Sequence, residues 1–118
     1  CAPNDLHKIQ LDPNATGDQA AFNQRTRNLM DNFGGMEGYL QSPANVWDKL
    51  PALIQEGNLP RLYFCSGTDD FLYPNYVAFK EYAQQIGLPA TFEEADGFAH
   101  EWAFWDLFIQ KALDFFGL

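Results

Sequence analysis

The hydrophobic pattern of this chain changes period after Gly57, and that change fixes its fold class. Leu62, Tyr63, Phe64 and Cys65 form a short unbroken apolar run between Pro60 and Gly67. Such a run is the pattern of a strand buried on both faces of a parallel sheet, where helices cover each side. Pro74 then opens a helical stretch in which Tyr76, Phe79, Tyr82, Ala83 and Ile86 share one face, stopped by Gly87 with Pro89 just beyond. Thr91 to Ala95 reads as a second, more polar strand nearer a sheet edge. Phe104, Trp105, Phe108, Ile109, Ala112 and Phe115 line a final helix. Strand, helix, strand, helix at this spacing is a βαβα unit, so the fold class is α/β with a mostly parallel sheet. Two parallel strands neither cover their own faces nor protect their own edges, and the pattern implies further strands in the same sheet.

The first half is less regular. Asp5 to Gly17 is polar, interrupted by Pro13 and Gly17, and reads as a loop. Phe22, Thr26, Leu29, Met30 and Phe33 recur at helical spacing, with Asp18 as a candidate cap and Gly34-Gly35 as the stop. Ser42-Pro43 supplies an N-cap and first-turn proline for another helix, whose buried face would be Trp47, Leu50 and Ile54 and which Pro51 should split or kink.

Composition narrows the function classes. With 118 residues there is room for at most one compact domain. Seven basic against sixteen acidic side chains give a net charge of −9, and no basic cluster appears, which argues against nucleic acid or a membrane surface as partner. A 47% hydrophobic content is too high for a disordered acidic tail, yet no apolar run approaches the roughly 20 residues of a membrane span. Two cysteines make no disulfide scaffold. Two distant histidines, no paired Cys-x-x-Cys and no phosphate-binding glycine motif leave no metal or cofactor expected.

Functional groups in open α/β sheets gather at the carboxyl ends of strands. The first strand is followed by Ser66-Gly67-Thr68-Asp69-Asp70-Phe71-Leu72-Tyr73, the second by Asp96-Gly97-Phe98-Ala99-His100-Glu101-Trp102. An acid after one strand and a histidine after the next is the arrangement in which a carboxylate orients an imidazole for proton transfer. Asp69 reads equally as a turn former. His7 reads as solvated, and Glu101 as the cap of the last helix.

These two motifs, with Phe104-Trp105 after the second, resemble the C-terminal part of an esterase branch of the α/β-hydrolases. That branch includes tributyrin esterases, feruloyl and acetyl xylan-type esterases, S-formylglutathione hydrolases and mycolyltransferases. The resemblance is specific from Pro60 to Phe116. It extends loosely over 1–118, since Cys1-Ala-Pro-Asn4 is similar to the segment after the nucleophile helix. It implies Asp70 as triad acid, His100 as triad base, and a small-molecule ester with a short acyl, acetyl or hydroxycinnamoyl group as substrate. Trp102, Phe71 and Tyr73 would wall its pocket. Residues 18–56 would form cap or lid helices in which Met30, Phe33, Met36 and Tyr39 are candidates to face substrate, and 60–118 would carry acid and base.

One part of the family pattern is lacking. No Gly-x-Ser-x-Gly elbow occurs, and the serines are Ser42, which fits a helix cap, and Ser66, which lacks the elbow spacing. Cys65 lies inside an apolar strand, where a thiol is inert, and nothing pairs Cys1 with a base. The expectation is therefore a C-terminal half whose nucleophile and oxyanion donors lie in a missing N-terminal half of the same domain. The alternative is a non-catalytic binding or assembly module on a degenerate hydrolase fold.

Overall fold

The structure, a computed structural model, describes residues 2, 3, 5, 7, 8 and 11–118. Cys1 and Asn4, the ends of the opening segment singled out above, lie outside the described residues. The elements run α1 (Gly17–Asp31), α2 (Met36–Gln41), α3 (Val46–Glu56), β1 (Leu62–Gly67), α4 (Tyr73–Ile86), β2 (Ala90–Ala95) and α5 (Trp102–Phe116). They fall into two compact units, residues 5–49 and residues 50–118, the latter including Ala2 and Pro3.

In the second unit β1 and β2 pair in parallel, with Leu62 opposite Ala90 and Gly67 opposite Ala95. Strand alternation then sends Phe64 and Phe92 to one face, where their rings stack at 5.2 Å. Tyr76 and Phe79 of α4 pack on that pair, 5.9 Å from Phe92 and 5.0 Å from Phe64 respectively. Tyr76, Phe79 and Ala83 are buried, as the helical spacing predicts. Burying each of these rings stabilises the fold by about 2–3 kcal/mol. The opposite pleat carries Tyr63 and Glu93 toward α5: Tyr63 packs 5.1 Å from Phe115, its hydroxyl donates to Glu93, and Lys111 lies 3.6 Å from the same carboxylate. Both helices stop at a glycine in the left-handed region. Gly87 has φ 71° and Gly117 φ 73°, and the next residue's N–H closes back onto Ala83 and Leu113 respectively, each at 2.9 Å.

Leu62 to Cys65 are half-buried rather than covered on both faces. Among the described residues the sheet has two strands, so β1 has a partner on one side only. Trp105, Ile109, Leu113 and Phe116 of α5 are correspondingly exposed. An open apolar groove of about 850 Å³ runs between β1 and α5, lined by Tyr63, Cys65, Trp102, Trp105, Ile109 and Phe116 among others.

The first unit departs more from its sequence pattern. In α1 the residues buried are Asn23 and Thr26, while Leu29 and Phe33 are exposed. Burial there costs little because both polar groups are satisfied. Asn23 donates to the Asp12 carbonyl at 2.9 Å and accepts from Gln19 at 3.0 Å, and Thr26 donates to the Phe22 carbonyl at 3.0 Å. The cap position falls at Thr16, with Asp18 inside the first turn, where its charge suits the helix dipole. Residues 36–41 form a short helix the sequence pattern did not indicate. Ser42 follows it instead of opening the next, donating to the Tyr39 carbonyl at 2.7 Å. Asn45 stands before α3 and accepts from the Asp48 N–H at 3.5 Å. Pro51 does not split α3, because it sits on an exposed position and forfeits a single backbone bond, that to the Trp47 carbonyl. Tyr39, a candidate to face substrate, is buried, with its hydroxyl on the Ala44 carbonyl.

His7 is not simply solvated. Its Nε2 lies 2.7 Å from Asp48 Oδ2, which also accepts from the Asn45 amide at 2.7 Å. The hydrogen bond to Asp48 raises the His7 pKa, and the bond to His7 lowers that of Asp48. A raised histidine value stabilises the fold below the unfolded pKa and is lost as pH rises through the folded one; the lowered carboxylate is lost as pH falls. The tie is thus present from above about pH 4 to beyond about pH 6.5. Asp48→Asn should bring the His7 ring resonances, followed by NMR against pH, to a lower titration midpoint; an unchanged midpoint would show that the pair does not form in solution.

Candidate active site

The loops after β1 and β2 are joined backbone to backbone. The Thr68 N–H donates to the Ala95 carbonyl and the Asp69 N–H to the Phe98 carbonyl, each at 3.0 Å, and the Thr68 hydroxyl accepts from the Gly97 N–H at 3.0 Å. Gly67 makes this approach possible: a Cβ there would stand 2.0 Å from the Phe98 carbonyl oxygen. A strand glycine of this kind marks a close backbone approach, a signal present in the sequence but not drawn on.

Held this way, Asp70 Oδ2 lies 2.9 Å from His100 Nδ1. The other carboxylate oxygen accepts the Leu72 N–H at 2.8 Å, a local turn that aims the side chain, and the Asp70 side chain is only 8% exposed. Asp69 is exposed and leaves its neighbour to hold the imidazole. A carboxylate only accepts, so the His100 Nδ1 is the donor and Nε2 is left free to take a proton. The ring is 37% exposed. It borders a pocket of about 90 Å³ whose lining includes Ala2, Ser66, Asp70, Leu72, Tyr76 and Trp105.

Of the aromatic residues expected to wall a pocket, Phe71 lies against the imidazole at 5.3 Å between ring centres. Trp102 is 82% exposed and meets the imidazole only through Trp105, 4.9 Å away. Tyr73 is engaged elsewhere, donating to Glu94 at 3.1 Å and stacking on Tyr76. Trp105, one of the apolar residues that line the final helix, stands 5.1 Å from His100 at 89°. Glu101 occupies the cap position of α5, but its carboxylate accepts the Ala99 N–H at 3.1 Å and no helix N–H. Ser66 is buried and donates weakly to the Gly67 carbonyl at 3.3 Å. Burial pushes the Cys65 thiol pKa up, which suits an inert core cysteine. Among the described residues no three of His, Cys, Asp and Glu converge to hold a metal ion.

No family model matches the chain. It is similar to an acetyl esterase of Caldicellulosiruptor saccharolyticus, 29% identical over 83 residues that make up 70% of this chain and 31% of that protein. It is also similar to the crystal structure of S-formylglutathione hydrolase from Staphylococcus aureus, with a TM-score of 0.54 and 30% identity over 75% of this chain and 39% of that one. The fold is a C-terminal portion of an esterase-type α/β-hydrolase. The chain spans about a third of the length of the acetyl esterase and about two fifths of the S-formylglutathione hydrolase.

Gly67 is the residue on which the joined loops depend. Gly67→Ala should push the Phe98 carbonyl away, destabilise the fold by about 1–3 kcal/mol in urea unfolding, and weaken the Asp70–His100 pair. Wild-type stability in that variant would show that the loops approach less closely than 2.0 Å from Cβ to oxygen implies.

Proposed function

We propose that the chain supplies the acid and base of a serine carboxylesterase acting on short-chain acyl, acetyl or hydroxycinnamoyl esters. The observation that carries the reading is the 2.9 Å contact between Asp70 and His100, on the ends of adjacent parallel strands. Likeness to an acetyl esterase and an S-formylglutathione hydrolase supports ester hydrolysis as the reaction class.

In the proposed chemistry a serine outside these 118 residues attacks the ester carbonyl while His100 Nε2 takes its proton. Asp70 fixes the tautomer and stabilises the imidazolium that forms. His100 then protonates the departing alkoxide, leaving an acyl-enzyme. Water, activated by the same nitrogen, attacks the acyl carbon; the serine oxygen leaves and recovers the proton, and the carboxylic acid is released. A nucleophile other than Ser42 and Ser66 is supported by the bond of Ser42 to the Tyr39 carbonyl and by the burial of Ser66 with no elbow around it. The partner of the chain in this reading is the N-terminal half of the same domain, which would bring the serine and the oxyanion donors. The exposed apolar face of α5 and the groove beside β1 support such a neighbour, since a patch of that size on a soluble protein normally marks a contact surface.

In the complete enzyme, Asp70→Asn should lower turnover of p-nitrophenyl acetate by roughly 10²–10⁴-fold with the fold intact. His100→Ala should cost at least as much, and the double variant little more than the worse single one, because both residues serve one proton transfer. Ser66→Ala should retain most activity. Full turnover by Asp70→Asn, or abolished turnover in a folded Ser66→Ala, would overturn the assignment.

A further inference from the structure

His100 sits in an irregular loop between β2 and α5, and a single hydrogen bond, to Asp70, holds its ring among the described residues. One bond at Nδ1 does not stop the imidazole rotating about its own side-chain axis; a half-turn would put a carbon where Nδ1 stands and break the pairing. That bond therefore selects the sense of the ring, while its plane is held from a different element. Trp105 lies in the first turn of α5, its N–H bonded to the Glu101 carbonyl at 3.3 Å, so its backbone belongs to a helix rather than to the loop. Its ring meets the imidazole edge to face at 5.1 Å and 89°, and Trp102 meets Trp105 in the same geometry at 4.9 Å. Phe71 supplies a second contact at 5.3 Å. Edge-to-face pairs are directional, because the positive rim of one ring faces the negative face of the other, so they restrain the tilt of the ring plane as well as its position; a half-turn leaves that plane, and so the contact, unchanged.

We infer that Trp105 is the positioning residue for His100: its ring holds the plane of the imidazole so that the Nδ1 hydrogen bond to Asp70 keeps its line and Nε2 stays free, with Trp102 packed against it. The inference deepens the esterase reading. It is also separable from it, because ring orientation can be measured without turnover.

The test uses this chain, isotopically labelled, and the His100 ring nitrogens and Nδ1–H proton observed by NMR. The wild-type chain should show one tautomer, protonated at Nδ1, with a resolved Nδ1–H resonance. Trp105→Leu should broaden or remove that resonance and mix the tautomers, whereas Trp105→Phe, which keeps an aromatic edge, should restore much of it. Phe108→Leu, on the same helix and in the buried core, should leave the His100 signals unchanged even though it destabilises the fold. In the complete enzyme, Trp105→Leu should lower kcat by roughly 2- to 12-fold, the strength of one aromatic pair expressed as a rate, with KM little changed. Should Trp105→Leu fail to fold, Trp102→Leu carries the test, since removing a ring 82% exposed leaves the core filled and should loosen the His100 resonance in part. Unchanged His100 signals in both tryptophan variants, or an equal change in Phe108→Leu, would overturn the inference. Ordered His100 signals in a complete protein that carries the N-terminal half and still hydrolyses no ester would refute the esterase reading and leave the positioning role standing.

Discussion

The arrangement of this site depends on one close approach, that of the Gly67 backbone to the Phe98 carbonyl. With hydrogen where any other residue carries a Cβ, the end of β1 comes within contact of the loop after β2. The Thr68 and Asp69 amides and the Thr68 hydroxyl then bond across the gap. These are short, directional contacts between neighbouring parallel strands, and they convert a thirty-residue separation in sequence into 2.9 Å in space. The aromatic layer under α4 serves the same end: Phe64, Phe79 and Phe92 hold the two strands in register, and register decides which residue of each loop meets the other.

Chemistry and packing are divided unevenly along the chain. Asp70 is well fixed, 8% exposed and held by two hydrogen bonds, while His100 is loop-borne and over a third exposed. A proton carrier has to reach a second group, so some exposure at Nε2 suits the proposed role. Much of the surface of α5 is apolar and open, and the groove beside it is lined by Tyr63 and Cys65 of β1. Both features accord with similarity to proteins of which this chain spans about a third and two fifths.

Much of the second unit was legible because its signals are local. A continuous apolar run, a first-turn proline and a terminal glycine each act within a few residues, and β1, α4, β2 and α5 follow from them. The preference for Asp70 over Asp69 came from a motif and not from periodicity, which treats two adjacent acids alike. The first unit was less legible because its stabilising contacts are distant or polar. His7 and Asp48 are separated by 41 positions. Asn23 is buried because a loop carbonyl eleven residues back needs a donor, which no hydrophobic pattern encodes. Trp105 stands in the sequence only as one apolar residue of the last helix, because spacing reports which residues share a helix and not which loop packs over them. The half-buried state of β1 goes with its single neighbour among the described residues, a property of the sheet rather than of the strand.

The most direct measurement of whether acid and base reside here and the nucleophile elsewhere is a pre-steady-state burst with p-nitrophenyl acetate. It would be run on this chain alone and on the chain joined to an N-terminal half that carries a Gly-x-Ser-x-Gly elbow. The division of roles predicts no burst from the chain alone and, from the joined protein, a burst stoichiometric with enzyme that disappears in His100→Ala. A burst from the 118 residues by themselves, or one that survives the loss of His100, would contradict it.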